Sequence, residues 1–258
     1  VSTKKLKVHP RKFFTSVPEL LDKKEVIVSN TSKLLKEAII KRIPERKFGV
    51  LFSGGIDSTY IAHFLKKNGC DFTCYTAVLD SPEHPPSDLV YAQKAAKEMW
   101  LKIKVRKVKL EEIPAYLKKV VPLIEDSHPV KVSVALTFFL ACELAQKDGC
   151  KVIFSGLGSE EIFAGYERHK HSTNLNLECV SGLLKVYERD LYRDDVITMY
   201  NGLELRLPFL DKRLIEYALR IPEKYKINSE HSKLLFREIA QMQGISTELA
   251  FRKKVAAQ

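Results

Sequence analysis

Several features that would place this chain in a familiar class of protein are missing from its 258 residues. No uninterrupted apolar run is as long as a membrane-spanning helix, and no signal-type apolar stretch follows the basic start. The cysteines are odd in number and lack the spacing of a zinc site, so we expect buried free thiols at Cys70, Cys74, Cys142, Cys150 and Cys179. These absences predict a cytosolic protein.

Acidic residues are scarce relative to basic ones, with 32 Asp and Glu against 43 Lys and Arg and a formal net charge of +11. The lysines are spread along the whole chain and form no dense block interleaved with aromatic residues. This distribution favours a lysine-rich solvated surface over a groove for nucleic acid. We therefore expect neither a nucleic acid nor a membrane as a partner.

The glycine motif near the start of the chain lacks two well-known continuations. Residues 48–52 are an apolar run, and Ser53-Gly54-Gly55-Ile56-Asp57-Ser58 follows it. Neither the Gly-Lys-Ser/Thr of a Walker loop nor the third glycine of a dinucleotide fingerprint is there. A strand, a glycine turn and a helix start still predict a phosphate cradle. A carboxylate beside phosphates needs a cation between them, so we interpret Asp57 as a magnesium ligand.

A second loop has the same design. Another short apolar run leads into Ser155-Gly156-Leu157-Gly158-Ser159-Glu160-Glu161. If both loops lie on neighbouring strand ends, they flank one crevice, and one of the two glutamates would share a cation with Asp57. The alternative is that both acids only favour the start of a short helix electrostatically.

The order of predicted elements indicates an α/β fold with a doubly wound parallel sheet and a helical C-terminal layer. We expect strands at about 47–52, 71–79, 102–110 and 151–154, and no strand after residue 159. Ser29-Asn30-Thr31 would cap the first helix, and 125–133 would be a polar loop. We divide the chain into an extended lead-in at 1–28 and one domain at 29–258, with an α/β part at 29–170 and a helical part at 171–258.

The motifs resemble a known family. The first loop is similar to the SGGxDS loop of the ATP pyrophosphatases, which have the adenine nucleotide alpha hydrolase-like fold. Residues 155–166 resemble the SGEGSDExFGGY segment of asparagine synthetases. Asp190 to Arg193 resembles that family's D-x-x-R, residues 202–211 its G-x-E-x-R-x-P-F-L-D, and residues 252–254 its R-x-K. We expect Glu204 and Arg206 of the third segment to anchor the structure without pairing with each other.

The resemblance implies a ligase of asparagine biosynthesis that uses ATP and Mg²⁺. The carboxylate of aspartate would attack the α-phosphate, giving β-aspartyl-AMP and pyrophosphate, and ammonia would displace AMP. The magnesium carboxylates would be Asp57 and Glu160, and the catalytic residues would be Lys254, Asp190 and Arg193. The implied ATP-binding residues are Leu51, Phe52, Ser53, Gly54, Gly55, Asp57, Ser58, Ala77, Ser155 and Gly156.

Two departures from the family keep other functions open. Leu157 stands where the family has a glutamate between two glycines, and a leucine cannot act as a base; either Glu161 substitutes for it, or the substrate differs. The catalytic cysteine that heads a glutaminase domain is also missing, so we expect no glutamine hydrolysis by this chain alone. A glutaminase subunit or domain in trans and a homo-oligomer stay open. The alternatives are a tRNA- or nucleotide-modifying ATP pyrophosphatase and a degenerate nucleotide-binding subunit.

Overall fold

The computed structural model of the chain describes residues 17–80 and 87–252. Within them the backbone forms a five-stranded parallel sheet with helices packed on both faces, which confirms the predicted fold class. The strands are β1 (Phe48–Leu51), β2 (Thr73–Leu79), β3 (Ile103–Val108), β4 (Val152–Phe154) and β5 (Glu204–Arg206).

Helices alternate with the first four strands and then dominate the rest of the described chain. They are α1 (Lys24–Ile40), α2 (Ile56–Lys67), α3 (Ser87–Glu98), α4 (Ile113–Ile124), α5 (Pro129–Lys147), α6 (Ser159–Ile162), α7 (Leu175–Leu184), α8 (Tyr192–Tyr200), α9 (Lys212–Ala218), α10 (Glu223–Lys226), α11 (Leu234–Met242) and α12 (Thr247–Ala250). A single π-helical turn, Tyr187–Leu191, precedes α8.

The expectation of no strand after residue 159 was wrong. Strand β5 lies at the sheet edge beside β4, with Ile153 opposite Leu205. Glu204 and Arg206 flank Leu205 on the same side of this strand, because side chains two residues apart share a face. Arg206 Nε donates to Glu204 Oε1 at 2.8 Å, so the expectation that the two would not pair was also wrong.

Two predicted helix starts were too late. Helix α1 begins at Lys24, before the expected cap, and the Thr31 hydroxyl donates to the Ile27 carbonyl at 2.7 Å inside the helix. Thr31 is therefore a buried residue within the helix, as Ile27 is, and does not cap its start. Helix α5 begins at Pro129, inside the predicted polar loop, because proline suits the first helical position, where its missing N–H is not needed.

The strand order places a crevice between β1 and β4. The strand order in the sheet is β3-β2-β1-β4-β5. From β1 the chain adds β2 and β3 on one side, and it then crosses back to add β4 and β5 on the other side. Val50 of β1 lies opposite Cys74 of β2 and opposite Phe154 of β4. In open parallel sheets ligands bind outside the carboxyl ends of strands at such a reversal of order. Both glycine loops leave the sheet at this place.

The sheet separates two apolar cores, since successive strand residues face opposite sides. Val50 and Phe52 belong to the core packed by α1, α2 and α11, whereas Leu51 belongs to the core packed by α4, α5 and α8. All five cysteines are free, as predicted. Four of them are also buried as predicted, whereas Cys70 is partly exposed, so the prediction of a buried thiol was wrong there.

Helix α5 is the one helix of the described residues with the length and apolar composition of a membrane-spanning segment. At 19 residues, this helix is longer than any uninterrupted apolar run in the sequence, because a few polar residues interrupt it. It packs against β2 and α4, and it buries Ala135, Phe139 and Cys142 in the second core. Core helices of globular proteins share these properties, so the helix is weak evidence for a membrane.

Candidate active site

The first glycine loop joins β1 to α2 and is held by its own serines. Gly55 N–H donates to Ser53 Oγ at 3.3 Å, and the Ser58 hydroxyl donates to the Gly55 carbonyl at 3.2 Å. Gly54 has a φ of +67°, and a Cβ there would lie 2.6 Å from the backbone nitrogen of Ala92 in α3. Glycine is therefore required at 54, both by the backbone conformation and by the close helix.

The second loop lies against the first. Gly156 is so close that a Cβ added to it would lie 2.7 Å from the Cβ of Asp57. Short helix α6 follows this loop, and Gly158 before it has a φ of +99°. The prediction that the two loops flank one crevice is confirmed by this contact.

A lysine joins the two carboxylates that the sequence assigned to magnesium. The Nζ of Lys233 lies 2.8 Å from both carboxylate oxygens of Asp57 and 3.0 Å from Oε2 of Glu160. It also donates to Ser159 Oγ at 2.8 Å. Lys233 is 3% exposed and has a φ of +57°, a strained conformation for a residue with a side chain. Such strain concentrates at functional sites.

Gly165 makes room for this ion-pair cluster. A Cβ at 165 would lie 1.5 Å from Oε2 of Glu160 and 2.3 Å from Cε of Lys233. The glycine of the Ala164-Gly165-Tyr166 segment is thus needed for the contact between Glu160 and Lys233, and not for a turn.

A cavity of about 440 Å³ opens beside the two loops. The predicted residues that line it are Leu51, Phe52, Ser53, Asp57, Ser58, Ala77, Ser155, Gly156, Glu160, Asp190 and Arg193. Gly54 and Gly55 shape the first loop without lining the wall that the structure describes. The sequence therefore placed most of its candidate residues around one cavity.

Asp190 and Arg193 both line the cavity and lie three residues apart in the chain. The π-helical turn carries Asp190, whose Oδ1 accepts from Nη1 of Arg193 at 2.9 Å. Arg193 Nε also donates to Oδ1 of the buried Asp194 at 2.8 Å. Burial raises the pKa of Asp194 to about 6, against the opposing effect of Arg193. The guanidinium is thus shared by two carboxylates, and it is not free for a substrate anion without rearrangement.

Lys254, the third predicted catalytic residue, lies outside the described residues. The segment before it is fixed: Arg237 Nη1 donates to the carbonyl oxygens of Ala250 at 2.6 Å and Arg252 at 3.1 Å. The guanidinium carbon of Arg252 lies 3.9 Å from the centroid of the Tyr91 ring.

Sequence reasoning missed Lys233, which pairs with two residues of the cavity, and several residues that line the cavity itself. Lys233 reaches Asp57 across 176 positions of sequence, and its place before the apolar helix α11 gave no signal. Helix α5 contributes a wall with Ser133, Thr137 and Phe138, part of which the sequence assigned to a loop. Tyr166 was part of a quoted motif, but nothing in the spacing showed that it lines the cavity.

Comparison with known proteins decides the family. A family profile described as asparagine synthase matches residues 30–181 and 173–258. The chain belongs to the asparagine synthase family. A putative glutamine-hydrolysing asparagine synthetase 1 of Methanocaldococcus jannaschii is 36% identical over 76% of this chain and 37% of its own length. The resemblance inferred from the sequence segments is confirmed.

Two further relatives agree with this assignment. An asparagine synthetase domain-containing protein of Saccharomyces cerevisiae is 30% identical over 91% of this asparagine synthase-family chain and 52% of its own length. The glutamine-hydrolysing asparagine synthetase of Homo sapiens is 30% identical, with coverages of 90% and 43%. The chain thus spans between 37% and 52% of the length of these relatives.

Two solved structures are similar at a lower level. An NMN synthetase from Francisella tularensis has a TM-score of 0.39 and 15% identity, with 86% of each chain covered. A U34-tRNA thiolase from Methanococcus maripaludis has a TM-score of 0.44 and 12% identity, covering 85% of this chain and 73% of its own. At these TM-scores the likeness carries no argument about the function of this family member.

Proposed function

We propose that the chain is an ATP-dependent amide ligase that forms AMP and pyrophosphate, converting aspartate, ATP and ammonia to asparagine through β-aspartyl-AMP. One observation carries the proposal. Two glycine loops bring Asp57 and Glu160 together on one cavity, where Lys233 pairs with both carboxylates, and Asp190 and Arg193 line the same cavity. Membership of the asparagine synthase family supports an ATP-using synthetase.

The chain's own groups suit the triphosphate of ATP. The first loop offers the start of α2, whose N-cap residue Gly55 has no side chain to cap the helix, and Ser53 is exposed beside it. The ammonium of Lys233 supplies positive charge next to the carboxylates. Leu51 and Ala77 give an apolar wall for the adenosine end. These groups bind and orient the nucleotide.

The donor set also fits a magnesium ion. Asp57 and Glu160 present carboxylate oxygens, which Mg²⁺ prefers, and no third acidic, histidine or cysteine side chain joins them among the described residues. Phosphate oxygens and water would complete the six ligands. When bound, the ion neutralises charge on the phosphates. Lys233 would then share the two carboxylates with it.

The second glycine loop raises a rival function. Leu157 lines the cavity, where the family's glutamate is replaced by a group that neither accepts nor donates a proton. This observation favours a nucleotide-binding subunit without ligase activity. Thiolation chemistry of a tRNA-modifying enzyme has less support, because none of the five cysteines, all described, lines the cavity.

Pyrophosphate release from ATP and magnesium, with and without aspartate in ammonium buffer, tests the proposal, with mass spectrometry for asparagine. We expect aspartate-dependent AMP, pyrophosphate and asparagine. ATP binding without turnover would favour the subunit, and a Leu157→Glu variant that gains activity would support the same conclusion or a different acceptor. Full activity of the wild type would exclude the subunit.

A further inference from the structure

Arg237 of α11 joins two segments that meet only in the folded chain. Its Nε donates to the Ser232 carbonyl at 2.8 Å, in the turn that carries Lys233. Its Nη1 donates to the carbonyl oxygens of Ala250 at 2.6 Å and Arg252 at 3.1 Å. The side chain is buried, with 6% of the residue exposed. Because two nitrogens of one rigid guanidinium bind different segments, the segments are held at a fixed distance from each other.

A ring contact between the same two segments supports this connection. The ring centroids of His231 and Phe251 lie 5.2 Å apart at an interplanar angle of 67°, an edge-to-face arrangement. The turn is also fixed from within, because Oδ1 of Asn228 accepts from the N–H groups of Glu230 at 3.0 Å and His231 at 2.6 Å. The turn and the C-terminal segment are therefore held together at two places.

Both segments reach the surroundings of the first glycine loop. Lys233 pairs with Asp57 in the first turn of α2. The guanidinium carbon of Arg252 lies 3.9 Å from the centroid of the Tyr91 ring in α3. The backbone of Tyr91 touches the loop, since a Cβ at Gly54 would lie 2.8 Å from its carbonyl carbon. The buried guanidinium thus connects two cationic side chains beside the loop proposed for the phosphates of ATP.

We propose that Arg237 is a positioning residue, which sets Lys233 and Arg252 relative to the first glycine loop for adenylyl transfer. The inference rests on the proposed ligase function. In that step a carboxylate oxygen of the acceptor forms a bond to the α-phosphorus, and the bond from this phosphorus to pyrophosphate breaks, its electron pair leaving on pyrophosphate. Cations fixed in advance beside the phosphates stabilise the charge that develops there. Arg237 does not line the cavity, so it acts through the other two residues.

Arg237→Lys tests this role, because lysine keeps the charge but offers one nitrogen in place of two that bind different segments. Aspartate-dependent exchange of labelled pyrophosphate into ATP reports the adenylyl transfer. We expect kcat for this exchange to fall about 100-fold, the effect of a misplacement of about 1 Å. KM for ATP should change less than about 2-fold, because the glycine loop and the start of α2 are left intact.

A purely structural role of Arg237 predicts a different result. Loss of stability alone would leave kcat unchanged at a temperature where circular dichroism shows the variant to be folded. Arg220 gives the matched control: its Nε donates to the Pro18 carbonyl at 3.3 Å, across 202 positions of sequence, and it does not line the cavity. Arg220→Lys should keep the wild-type kcat and KM. An unchanged kcat in folded Arg237→Lys, or a change in KM alone, would overturn the inference.

Tyr91→Leu tests the other end of the same contacts and serves if Arg237→Lys does not fold. It removes the ring beneath Arg252 and leaves Arg237 in place. We expect a smaller fall in kcat, about 10-fold, again at nearly constant KM for ATP. A wild-type kcat in this variant would show that the exchange does not depend on where Arg252 lies, which contradicts the proposed role.

Hydrogen exchange of backbone amides tests the connection without turnover. The amides of Ala250 and Phe251 donate to carbonyl oxygens one helical turn earlier, both at 2.9 Å. In Arg237→Lys we expect the amides of 228–233 and 247–252 to exchange about 10-fold faster, and those of α2 to exchange as in the wild type. Unchanged exchange in both segments would refute the connection. A wild type without pyrophosphate exchange would refute the proposed ligase function, and the amide measurement would then decide on Arg237 by itself.

Discussion

The Nζ of Lys233 lies 2.8 Å from both carboxylate oxygens of Asp57, and only 4% of the Lys233 side chain is exposed. Replacing this lysine by methionine keeps the bulk of the side chain and leaves Asp57 and Glu160 without their shared cation. Breaking a buried ion pair from one side costs about 3–5 kcal/mol. We expect Lys233→Met to lower the free energy of unfolding, measured in urea, by about 3 kcal/mol. The lower end of the range applies because the side chains of Asp57 and Glu160 retain some exposure to solvent.

A surface pair gives the matched control. Lys102 Nζ lies 2.7 Å from Asp71 Oδ1, but the two side chains are 70% and 86% exposed. Exposed pairs are screened by water and salt, so Lys102→Met should leave the unfolding midpoint unchanged. If both lysine variants unfold at the wild-type urea concentration, the cluster around Lys233 does not stabilise the fold.

Gly165→Ala tests the geometry of the same cluster from the glycine side. The added methyl group would occupy the place of Oε2 of Glu160, so it should break the ion pair between Glu160 and Lys233. We expect a loss of stability larger than that of Gly69→Ala, as measured by thermal unfolding. Gly69 has a φ of +73° and open space around its Cβ position, so its variant reports backbone strain of about 1–2 kcal/mol alone.

The parts of the site that the sequence predicted are local in sequence. The apolar runs before Ser53 and Ser155 and the glycines after them predict strand, turn and helix from adjacent residues. They also predict that two such loops meet, because parallel strands place their carboxyl ends at the same edge. The contact of Gly156 with Asp57 confirms that step.

The parts that it missed depend on distant residues or on weak local patterns. Strand β5 is three residues long and carries charged Glu204 and Arg206, so no apolar run marks it; pairing with β4 holds it in the sheet. Lys233 is placed by the packing of α11, far along the chain from Asp57. Tertiary contacts of this kind leave no periodicity in the sequence.

Asp57→Asn should abolish aspartate-dependent pyrophosphate release while the fold is retained. The amide keeps the shape of the side chain but removes the charge that pairs with Lys233 and would hold a metal ion. Circular dichroism checks the fold, and Asp71→Asn at the exposed pair is the control. Release of pyrophosphate by Asp57→Asn at the wild-type rate would refute the metal-binding role.

Lys226, a buried lysine that does not line the cavity, should make the stability of the protein depend on pH. It is 1% exposed, and its Nζ donates to Asn176 Oδ1 at 2.7 Å. Burial lowers its pKa from 10.5 to about 8. Between these values the unfolded chain binds more protons than the folded one, so this group makes stability rise with pH. The full effect is about 3 kcal/mol at 1.36 kcal/mol per pKa unit.

Comparison with Lys226→Met isolates this contribution, since the other titrating groups are common to both proteins. We expect the free energy of unfolding of the wild type, relative to Lys226→Met, to increase from about pH 8 to about pH 10. A difference that stays constant over this range would show that Lys226 titrates normally in the folded protein.

Analysis of the nucleotide products tests the central claim most directly. ATP labelled at the α-phosphate is incubated with the chain, magnesium, aspartate and ammonia, and the labelled products are separated. Cleavage between the α- and β-phosphates, with label in AMP only when aspartate is present, is the result that the two-loop site predicts. Label in ADP, or AMP formation that does not depend on a carboxylate acceptor, would contradict the assignment of this cavity to an adenylate-forming ligase.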